Sequence, residues 1–534
     1  VFLWGVWLLV SKVRRGRGSL RIERPLQRLG RVAWIVLSHA WIARRVGIVG
    51  LAHAFVFSGF AVLFVGTAIL AFHDDFARPV LGWTFWEGWF YLGYSLFLDV
   101  FGAAMLVGLL LLVAVRGVVR PRRLDYARPD REGSAAGRTR YVVGDWIFLG
   151  SLVFLGATGF LLEAFRIAET DPSFEKWAPI GWLVGQGLID AGMSPEAAGA
   201  ARLAQWWVHG VVALAFVSAI PFTKAVHMLA GPASLLARDD DAGRSLPPVP
   251  AGAKAGEVGY GVVTDLEPAH LLSLDACTKC GKCTDACPAA ATGYPLSPRD
   301  LILDLREHAE GSLGIRRALR VGPLADPAAP LVPDPIRPES LWSCMQCMAC
   351  VEICPVGIEH VPIINQLRRR LVDRGEMDPL LQSTLETIYT SGNSFGEPKR
   401  KRGRWAKELD FGVKDARKEP VELLWFVGDY ASLDPRNSRI SQSLARILHH
   451  ADLDFGILYE AERNAGNDVR RAGEEGLFTD LAEGNVELLS GCSFERILTS
   501  DPHSFNTIRN EYPALGGSWD VVHHSQLLLE LLES

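Results

Sequence analysis

The sequence lacks the short motifs by which many enzymes are recognised. No G-x-G-x-x-G segment follows a predicted strand, and the fragment Gly259-Tyr260-Gly261 is an incomplete version of this motif. No Walker motif occurs. These absences argue against a nucleotide or flavin site formed by this chain alone. No serine or cysteine nucleophile constellation stands out, and the net charge of -5 gives no indication of a nucleic-acid partner.

Cysteine is almost absent outside two short segments. Of the nine cysteines, Cys492 is the one that lies elsewhere in the sequence. This distribution is typical of a reducing compartment. We interpret Cys492 as a small buried residue.

The two cysteine segments repeat one pattern, which ends in Cys-Pro. The first is Cys277-x-x-Cys280-x-x-Cys283-x-x-x-Cys287, and the second is Cys344-x-x-Cys347-x-x-Cys350-x-x-x-Cys354. In bacterial ferredoxins this run holds [4Fe–4S] clusters, and its fourth cysteine binds the other cluster. Zinc knuckles or disulfides are the alternative, although zinc sites rarely use four cysteines at this spacing. We predict two clusters, one held by Cys277, Cys280, Cys283 and Cys354 and the other by Cys344, Cys347, Cys350 and Cys287.

Long apolar runs occupy the first half of the sequence, which has a positive mean hydropathy of +0.15. A helix needs about 20 apolar residues to cross a bilayer core of about 30 Å. The run 1–10 is too short, and its charges follow instead of preceding it as in a signal peptide. We interpret it as the end of a transmembrane helix whose start is missing. Four runs are long enough to cross: Ile48–Phe72, 90–115, 145–165 and 203–230.

The charges of the connecting loops predict the orientation. Residues 11–47 carry ten lysines and arginines against one acidic residue, Glu23, and residues 116–143 are also rich in arginine. The other two loops are acidic. Because basic loops face the cytoplasm, we predict a multi-pass protein of the bacterial cytoplasmic membrane with both cysteine motifs in the cytoplasm.

Histidines in the apolar runs are candidate haem ligands, because ionisable residues inside a membrane are costly and often functional. His53 lies near the cytoplasmic start of the first long run. His209 and His227 lie in the last run, about 27 Å apart on one face if the helix is continuous. His53 and His227 are therefore expected at similar depth in the membrane on different helices, and we predict that they are the two ligands of a b-type haem. Hydrogen bonding between helices is the alternative.

A second haem would need a partner for His209. His73 lies at the same end of the bundle, but it is about 200° around a straight helix from His53. It could pair with His209 only if the chain has left the helix there. We interpret His39, in an amphipathic stretch, as interfacial. Three charged residues could serve quinone protonation, haem propionates or interhelical pairing: Asp99, Glu163 and Arg166.

The composition divides the chain into five segments and predicts a mainly α protein. Residues 1–230 form a polytopic transmembrane helix bundle with haem b, 231–270 a linker, and 271–390 an α-helical ferredoxin domain with both clusters. Residues 391–419 form a second linker, whose basic run 399–404 is either solvated or in contact with anionic lipid or an acidic partner. Residues 420–534 form a small α/β domain with four apolar candidate strands: 423–427, 455–459, 486–489 and 496–499.

Two parts of the sequence resemble known families. The helix layout and the positions of His53, His209 and His227 resemble the haem b subunit of respiratory nitrate reductase, although Leu63 and Phe64 stand where that family has another histidine. Residues 274–372, including 295–301 and 354–360, are similar to the helical two-cluster ferredoxin of heterodisulfide reductases. The fusion looks like the membrane-bound iron–sulfur reductases related to heterodisulfide reductase.

The tail departs from this family. Residues 421–532 resemble one cysteine-rich repeat of the heterodisulfide reductase type, and we predict that this degenerate domain binds no cluster and is a docking domain or a remnant. A hard-cation site formed by Asp429, Asp501 and His503 is a lesser alternative. The positions that the repeat gives to cysteine hold other residues here: Asp429, Asn464, Ala465, Asp501 and Ser504.

The resemblance implies an electron-transfer enzyme of the membrane. Electrons from a cytoplasmic donor, expected to be an electron-transfer flavoprotein, would pass through both clusters and haem b to menaquinone. One alternative is a heterodisulfide or thiol reductase subunit, against which the missing cysteines argue. Another is a non-catalytic, electron-conducting membrane anchor that works with further respiratory subunits.

Overall fold

The computed structural model describes residues 1–20, 22–39, 41–42, 47–128, 135–249 and 257–533. Arg21, Arg44 and Arg45 of the first basic loop lie outside these ranges. The chain divides into two compact units. The first comprises Val1–Arg238, Leu266–Ala329 and Ala349–Ile358, and the second comprises Asp239–Asp265, Pro330–Met348 and Glu359–Ser534. The five predicted segment boundaries stay a prediction.

The first unit is built from helices. Four stretches of it are long and apolar enough to cross a membrane, namely Ile48–Leu81, Gly88–Val119, Thr139–Thr170 and Pro195–Phe222. The first to fourth long helices are the α-helices of these stretches: Ile48–Phe72, Gly88–Ala114, Ala135–Thr170 and Pro195–Ala219. The other α-helices that the structure describes in this unit are Phe2–Val13, Pro25–Ser38, Arg78–Leu81, Pro179–Asp190, His227–Ala237, Pro268–Ala276, Lys282–Asp285, Pro288–Ala291, Pro298–Ser312, Ile315–Leu319 and Ala349–Ile353.

Small residues allow the first two long helices to approach closely. A Cβ atom added to Gly59 would lie 2.5 Å from the carbonyl oxygen of Phe101, and one added to Gly108 would lie 2.6 Å from that of Ala52. Close backbone approach at glycine is typical of helix pairs in membranes. The side chains of Phe64 and Val107 on these helices are exposed, as expected for lipid-facing positions.

The last apolar run is not one continuous helix, contrary to the prediction. The fourth long helix ends at Ala219, two 3-10 turns follow at Ile220–Phe222 and Lys224–Val226, and His227 begins the next helix. Pro221 has no amide hydrogen and its ring clashes with the preceding turn of an α-helix. His209 and His227 therefore lie on two different helices, and the prediction that they share one face of one helix is wrong.

A buried lysine fixes the helix Phe2–Val13 to the rest of the first unit. The Lys12 Nζ donates to Asp275 Oδ1 at 2.7 Å and to Glu310 Oε1 at 2.5 Å. The Lys12 side chain is fully buried. Because removing one member of such a group leaves a buried charge without its partner, this triad specifies where the helix lies.

The second unit contains a five-stranded parallel sheet in the order β1-β3-β2-β4-β5. The strands are β1 Lys414–Asp415, β2 Val421–Trp425, β3 Phe455–Ile457, β4 Phe494–Thr499 and β5 Val521–His523. The α-helices of this unit are Pro338–Trp342, His360–Asp373, Pro379–Ser391, Asp429–Leu433, Pro435–His450, Asn467–Ala472, Glu475–Ser490, Pro502–Asn510 and His524–Glu533. The mainly α prediction with a small C-terminal α/β domain is confirmed.

Two details of the second unit differ from the sequence prediction. The apolar run 486–489 lies in the helix Glu475–Ser490, where Leu489 continues the buried face of Phe478, Leu481 and Ala482. An apolar run of four residues does not distinguish a strand from one face of a helix. The segment 391–419, predicted as a linker, contributes the edge strand β1.

The strand order produces a topological switch point in the sheet. The chain passes from β2 to β3 on one side and then to β4 on the other side of β2. In open parallel sheets, ligands bind outside the carboxyl ends of the strands at such a switch point. The residues that follow β2 and β4 therefore occupy the position where this fold usually holds a ligand.

Candidate functional site

The two cysteine motifs share one unusual backbone conformation. Lys279 and Gln346, at equivalent positions of the two motifs, have φ of 62° and 53°. Gly281 and Met348, two residues later, have φ of 73° and 64°. Positive φ values in a tight turn direct successive amide hydrogens into an anion-binding concavity of the kind found at iron–sulfur sites. The repeated sequence pattern thus has a repeated local fold.

Five thiols of the first unit lie close together. Burial raises the pKa of Cys283 well above its usual value, and the neighbouring thiols of Cys280, Cys354, Cys277 and Cys350 raise it further. Burial also raises the pKa of Cys354 to about 12. The Ile358 amide, which donates to Cys354 Sγ at 3.4 Å, lowers this pKa and so opposes the effect of burial. Buried thiolates need a nearby positive charge, which coordinated iron supplies. Four of these thiols are the ones that the sequence assigns to the first cluster, and Cys350 is assigned to the second.

Residues 344–348 of the second motif make polar contacts within the second unit. The Gln346 amide donates to Cys344 Sγ at 3.4 Å. The Arg368 guanidinium donates to the carbonyl oxygens of Leu341 and Cys344 at 2.7 and 2.5 Å. Hydrogen bonds to the sulfurs and nearby positive charge are among the factors that set the potential of an iron–sulfur cluster.

Gly281 is required at its position for two separate reasons, and we expect Gly281→Ala to lower iron retention. Its φ is 73°, and an added Cβ would lie 2.5 Å from the carbonyl oxygen of Arg123. The positive φ alone costs an alanine about 1–2 kcal/mol. Gly293→Ala is the matched control, because Gly293 has φ of 82° but open space around it. Iron content and thermal unfolding of both variants test this, and equal losses would contradict the role of the close approach.

His53 and His227 face each other in the first unit. Their ring centroids are 6.4 Å apart and the ring planes are tilted by 57°. Metal–imidazole nitrogen distances of about 2.0–2.1 Å place the centres of two axial rings roughly 6 Å apart. The spacing of this pair therefore fits two ligands of one iron.

The other ring nitrogen of each histidine is already engaged. His227 Nδ1 donates to the Lys224 carbonyl oxygen at 2.7 Å, which assigns the tautomer and leaves the Nε2 lone pair free. His53 Nδ1 lies 3.2 Å from His39 Nε2. A metal-binding histidine commonly uses its second nitrogen in this way. The contact with His39, which the sequence interpretation called interfacial, adds a residue to the site.

His73 and His209 have different neighbours. His209 Nδ1 is 2.9 Å from Thr158 Oγ1. His73 Nδ1 is 2.9 Å from Asp74 Oδ1, and its ring lies against Phe85 at 5.0 Å. The contacts that the structure describes for these two rings have no residue in common, and a second haem between them stays a prediction.

Two further charged residues that the sequence singles out, Asp99 and Arg166, have polar partners in the first unit. Asp99 accepts hydrogen bonds from the amides of Ile180 and Gly181 at 3.1 and 2.9 Å. Arg166 pairs with Glu175 at 2.5 Å and lies 3.8 Å from Glu163. Asp99 therefore fixes the start of the helix Pro179–Asp190 against the second long helix.

The positions that lack cysteine come together at the switch point of the second unit. Asn464 Nδ2 donates to Asp429 Oδ2 at 2.7 Å. Ser504 Oγ donates to Asp501 Oδ2 at 2.6 Å, and both side chains face Gly428. The alignment proposed from the sequence thus brings its positions into one region. They carry oxygen and nitrogen atoms where the repeat has sulfur.

A buried arginine of the basic run 399–404 completes this region. Arg402 is 2% exposed and pairs with Asp429 at 2.5 Å and with Glu462 at 3.0 Å. The second oxygen of Asp429 accepts from Ser394 and Asn464. Because donors surround both carboxylate oxygens of Asp429, the arrangement disfavours the hard-cation alternative.

We expect Arg402→Met to destabilise the second unit by about 3–5 kcal/mol, because two buried carboxylates lose their counter-charge. Hydrogen exchange of the β2 amides in the full chain measures this loss as faster exchange. The control is Arg463→Gln, since Arg463 pairs at 2.7 Å with the exposed Asp480. Such a pair contributes about 0–1 kcal/mol, so a similar effect of both substitutions would contradict the role given to Arg402.

Comparison with known proteins places these sites in a family. Residues 276–358 match the model of the 4Fe-4S dicluster domain. The chain is 31% identical over 570 residues to EtfAB:quinone oxidoreductase of Syntrophomonas wolfei, which covers 100% of this chain and 76% of that protein. No solved structure matches.

Two further relatives match half of the chain. A probable membrane-anchored ferredoxin of Chromohalobacter salexigens is 37% identical, over 50% of this chain and 42% of that protein. One of the polypeptides of the dihydromethanophenazine:CoB–CoM heterodisulfide reductase of Methanosarcina barkeri is 27% identical, over 51% of this chain and 66% of that protein. The predicted relation to heterodisulfide reductases is confirmed.

The motifs hold two [4Fe–4S] clusters, and the four long helices associate the chain with a membrane. Together with the full-length match, these findings show that the chain belongs to the family of EtfAB:quinone oxidoreductase and is a membrane-associated iron–sulfur oxidoreductase.

Proposed function

We propose that this protein transfers electrons from an electron-transfer flavoprotein to menaquinone through two [4Fe–4S] clusters and one haem b. The full-length similarity to EtfAB:quinone oxidoreductase supports both the donor and the quinone acceptor. The observation that carries the haem is the pair His53 and His227, with ring centroids 6.4 Å apart. The basic loops support a cytoplasmic location of both cysteine motifs.

The cysteines divide between the clusters as the ferredoxin pattern implies. The first cluster is bound by Cys277, Cys280, Cys283 and Cys354, a set supported by the mutual proximity of these thiols. Each cluster carries one electron at a time, whereas reduction of the quinone to the quinol takes two electrons and two protons. Two electron-transfer events are thus required for each quinol formed. The second cluster is bound by Cys344, Cys347, Cys350 and Cys287.

The residues around the histidine pair prepare it to bind haem. A bound haem b would carry single electrons within the membrane part of the protein. The Lys224 carbonyl holds the proton of His227 on Nδ1, and His39 engages His53 Nδ1. Both Nε2 atoms are then available as ligands. We propose one haem, because the contacts of His73 and His209 give no support for a second ligand pair.

The contacts in the second unit argue against a thiol reductase of the heterodisulfide type. That chemistry requires the cysteine-rich repeat, and the corresponding positions here form the network of Asp429, Asn464 and Arg402. The remaining alternative, an electron-conducting anchor of a larger complex, differs from our proposal in needing further subunits for quinone reduction.

The test is reduction of a soluble menaquinone analogue by the detergent-purified full chain with a reduced EtfAB protein as donor. We expect turnover that requires both proteins, with EPR signals of two [4Fe–4S] clusters and the visible spectrum of a bis-histidine haem b. Dithionite in place of the flavoprotein is the control for the donor. Turnover with dithionite but none with the reduced flavoprotein would reject the flavoprotein as donor, and reduced clusters without any turnover would favour the anchor.

A further inference from the structure

A single buried carboxylate in the first unit is surrounded by three cations. Asp145, in the third long helix, is 1% exposed. Its Oδ1 lies 2.7 Å from Lys224 Nζ and 3.2 Å from Lys279 Nζ. Its Oδ2 accepts from the Arg116 guanidinium and, at 2.8 Å, from the hydroxyl of Tyr126. The sequence gives Asp145 only as the first residue of an apolar run.

Two of these cations belong to the two redox sites. Lys279 lies between Cys277 and Cys280 in the first cysteine motif. Lys224 provides the carbonyl oxygen that accepts from His227 Nδ1 at 2.7 Å. Asp145 is therefore in contact both with the loop that binds a cluster and with the residue that orients His227.

The surroundings of Asp145 are shielded from water and held in place. The side chains of Lys279 and Arg116 are 9% and 11% exposed, and that of Lys224 is 21% exposed. The Lys279 ammonium also lies over the ring of Tyr141, at 4.5 Å from its centre. In such a region of low dielectric constant, one unit charge acts strongly on its neighbours.

We propose that Asp145 is a positioning residue that fixes the first cysteine motif against the segment carrying His227, and whose negative charge lowers the reduction potential of the cluster bound by that motif. The net charge around a cluster is one of the factors that set its potential. The three cations favour the reduced cluster, and the carboxylate opposes them. The part that concerns His227 rests on the proposed haem, whereas the part that concerns the cluster does not.

Potentiometric EPR titration of the detergent-purified full chain tests this proposal. We expect Asp145→Asn, which keeps the shape but removes the charge, to shift the midpoint potential of one cluster signal upward. Lys224→Met keeps the backbone carbonyl that accepts from His227 and removes a positive charge. It is expected to shift the same signal downward, which a merely structural disturbance would not produce.

Asp99→Asn is the matched control, because Asp99 is also a buried aspartate of the first unit but bonds to the amides of Ile180 and Gly181. It is expected to leave both cluster potentials unchanged. Equal shifts in the Asp145 and Asp99 variants, or no shift in either variant of the Asp145 group, would overturn the proposal. If the Asp145→Asn protein loses the cluster, the shift in the Lys224→Met protein tests the proposal. A downward shift of the midpoint potential supports it, and an upward shift overturns it. Absence of haem in the unaltered protein would reject the proposed haem and leave this test valid.

Discussion

Replacing His227 with alanine is expected to remove haem b and to abolish quinone reduction by the reduced flavoprotein. The substitution deletes one of the two facing imidazoles and leaves His53 as the one remaining proposed haem ligand. Both clusters should remain, because none of the eight cluster cysteines is changed. The measurements are the haem-to-protein ratio, the reduced-minus-oxidised visible spectrum and the iron content of the purified chain.

His209→Gln is the matched control for this substitution. His209 lies in the fourth long helix and bonds to Thr158, so it provides an intramembrane histidine with a different environment. We expect the His209 variant to retain one haem per chain and its activity. A loss of half the haem in the His209 variant would reject the single-haem proposal and support the second site with His73. Full haem retention in the His227 variant would reject the assigned ligand pair.

Replacing Cys283 with alanine is expected to lower the iron content from about eight to about four atoms per chain and to remove one EPR signal. Cys283 is buried among the thiols of Cys277, Cys280 and Cys354, and the substitution leaves three of the four predicted ligands of this cluster. Because the clusters connect the donor to the membrane part, we also expect quinone reduction by the flavoprotein to fall to background.

Cys492→Ala controls for the loss of a thiol as such. Cys492 lies outside both motifs, and its thiol donates to the Leu488 carbonyl oxygen at 3.3 Å. We expect this variant to keep about eight iron atoms and its activity. Retention of both cluster signals in the Cys283 variant would contradict the ligand assignment. Iron loss in the Cys492 variant would show that the α/β domain around Cys492 contributes to cluster binding.

The parts of the fold that follow from local patterns could be predicted from the sequence. The cysteine spacing predicts the two-cluster domain because ligand geometry constrains residues that are close in the chain. Hydropathy predicts the four long helices because each must present an apolar surface over its whole length. The closeness of His53 and His227 agrees with the sequence prediction, although the equal depth on which that prediction rested assumed a helix that is interrupted at Pro221.

The parts that depend on tertiary contacts could not be predicted in this way. Hydropathy does not register the helix break at Pro221, because proline in an apolar run changes the backbone and not the apolar character. Arg402 was indistinguishable from the other cations of its basic run until the position of Asp429 was known. For Asp145 the sequence offers one indication of an ion pair: an acidic residue lies at the edge of an apolar run, next to a loop rich in arginine.

The grouping of Cys354 with Cys277, Cys280 and Cys283 has a consequence for how the protein is made. The fourth thiol is encoded after the first three cysteines of the second motif, so a growing chain presents six cysteines before either complete set of four exists. Iron delivered during synthesis would therefore meet partial sites, and closing the first site joins distant parts of the chain at an entropic cost. We expect cluster insertion to follow release of this region from the ribosome. The completed cluster then acts as a cross-link that holds the segment Ala349–Ile358 within the first unit.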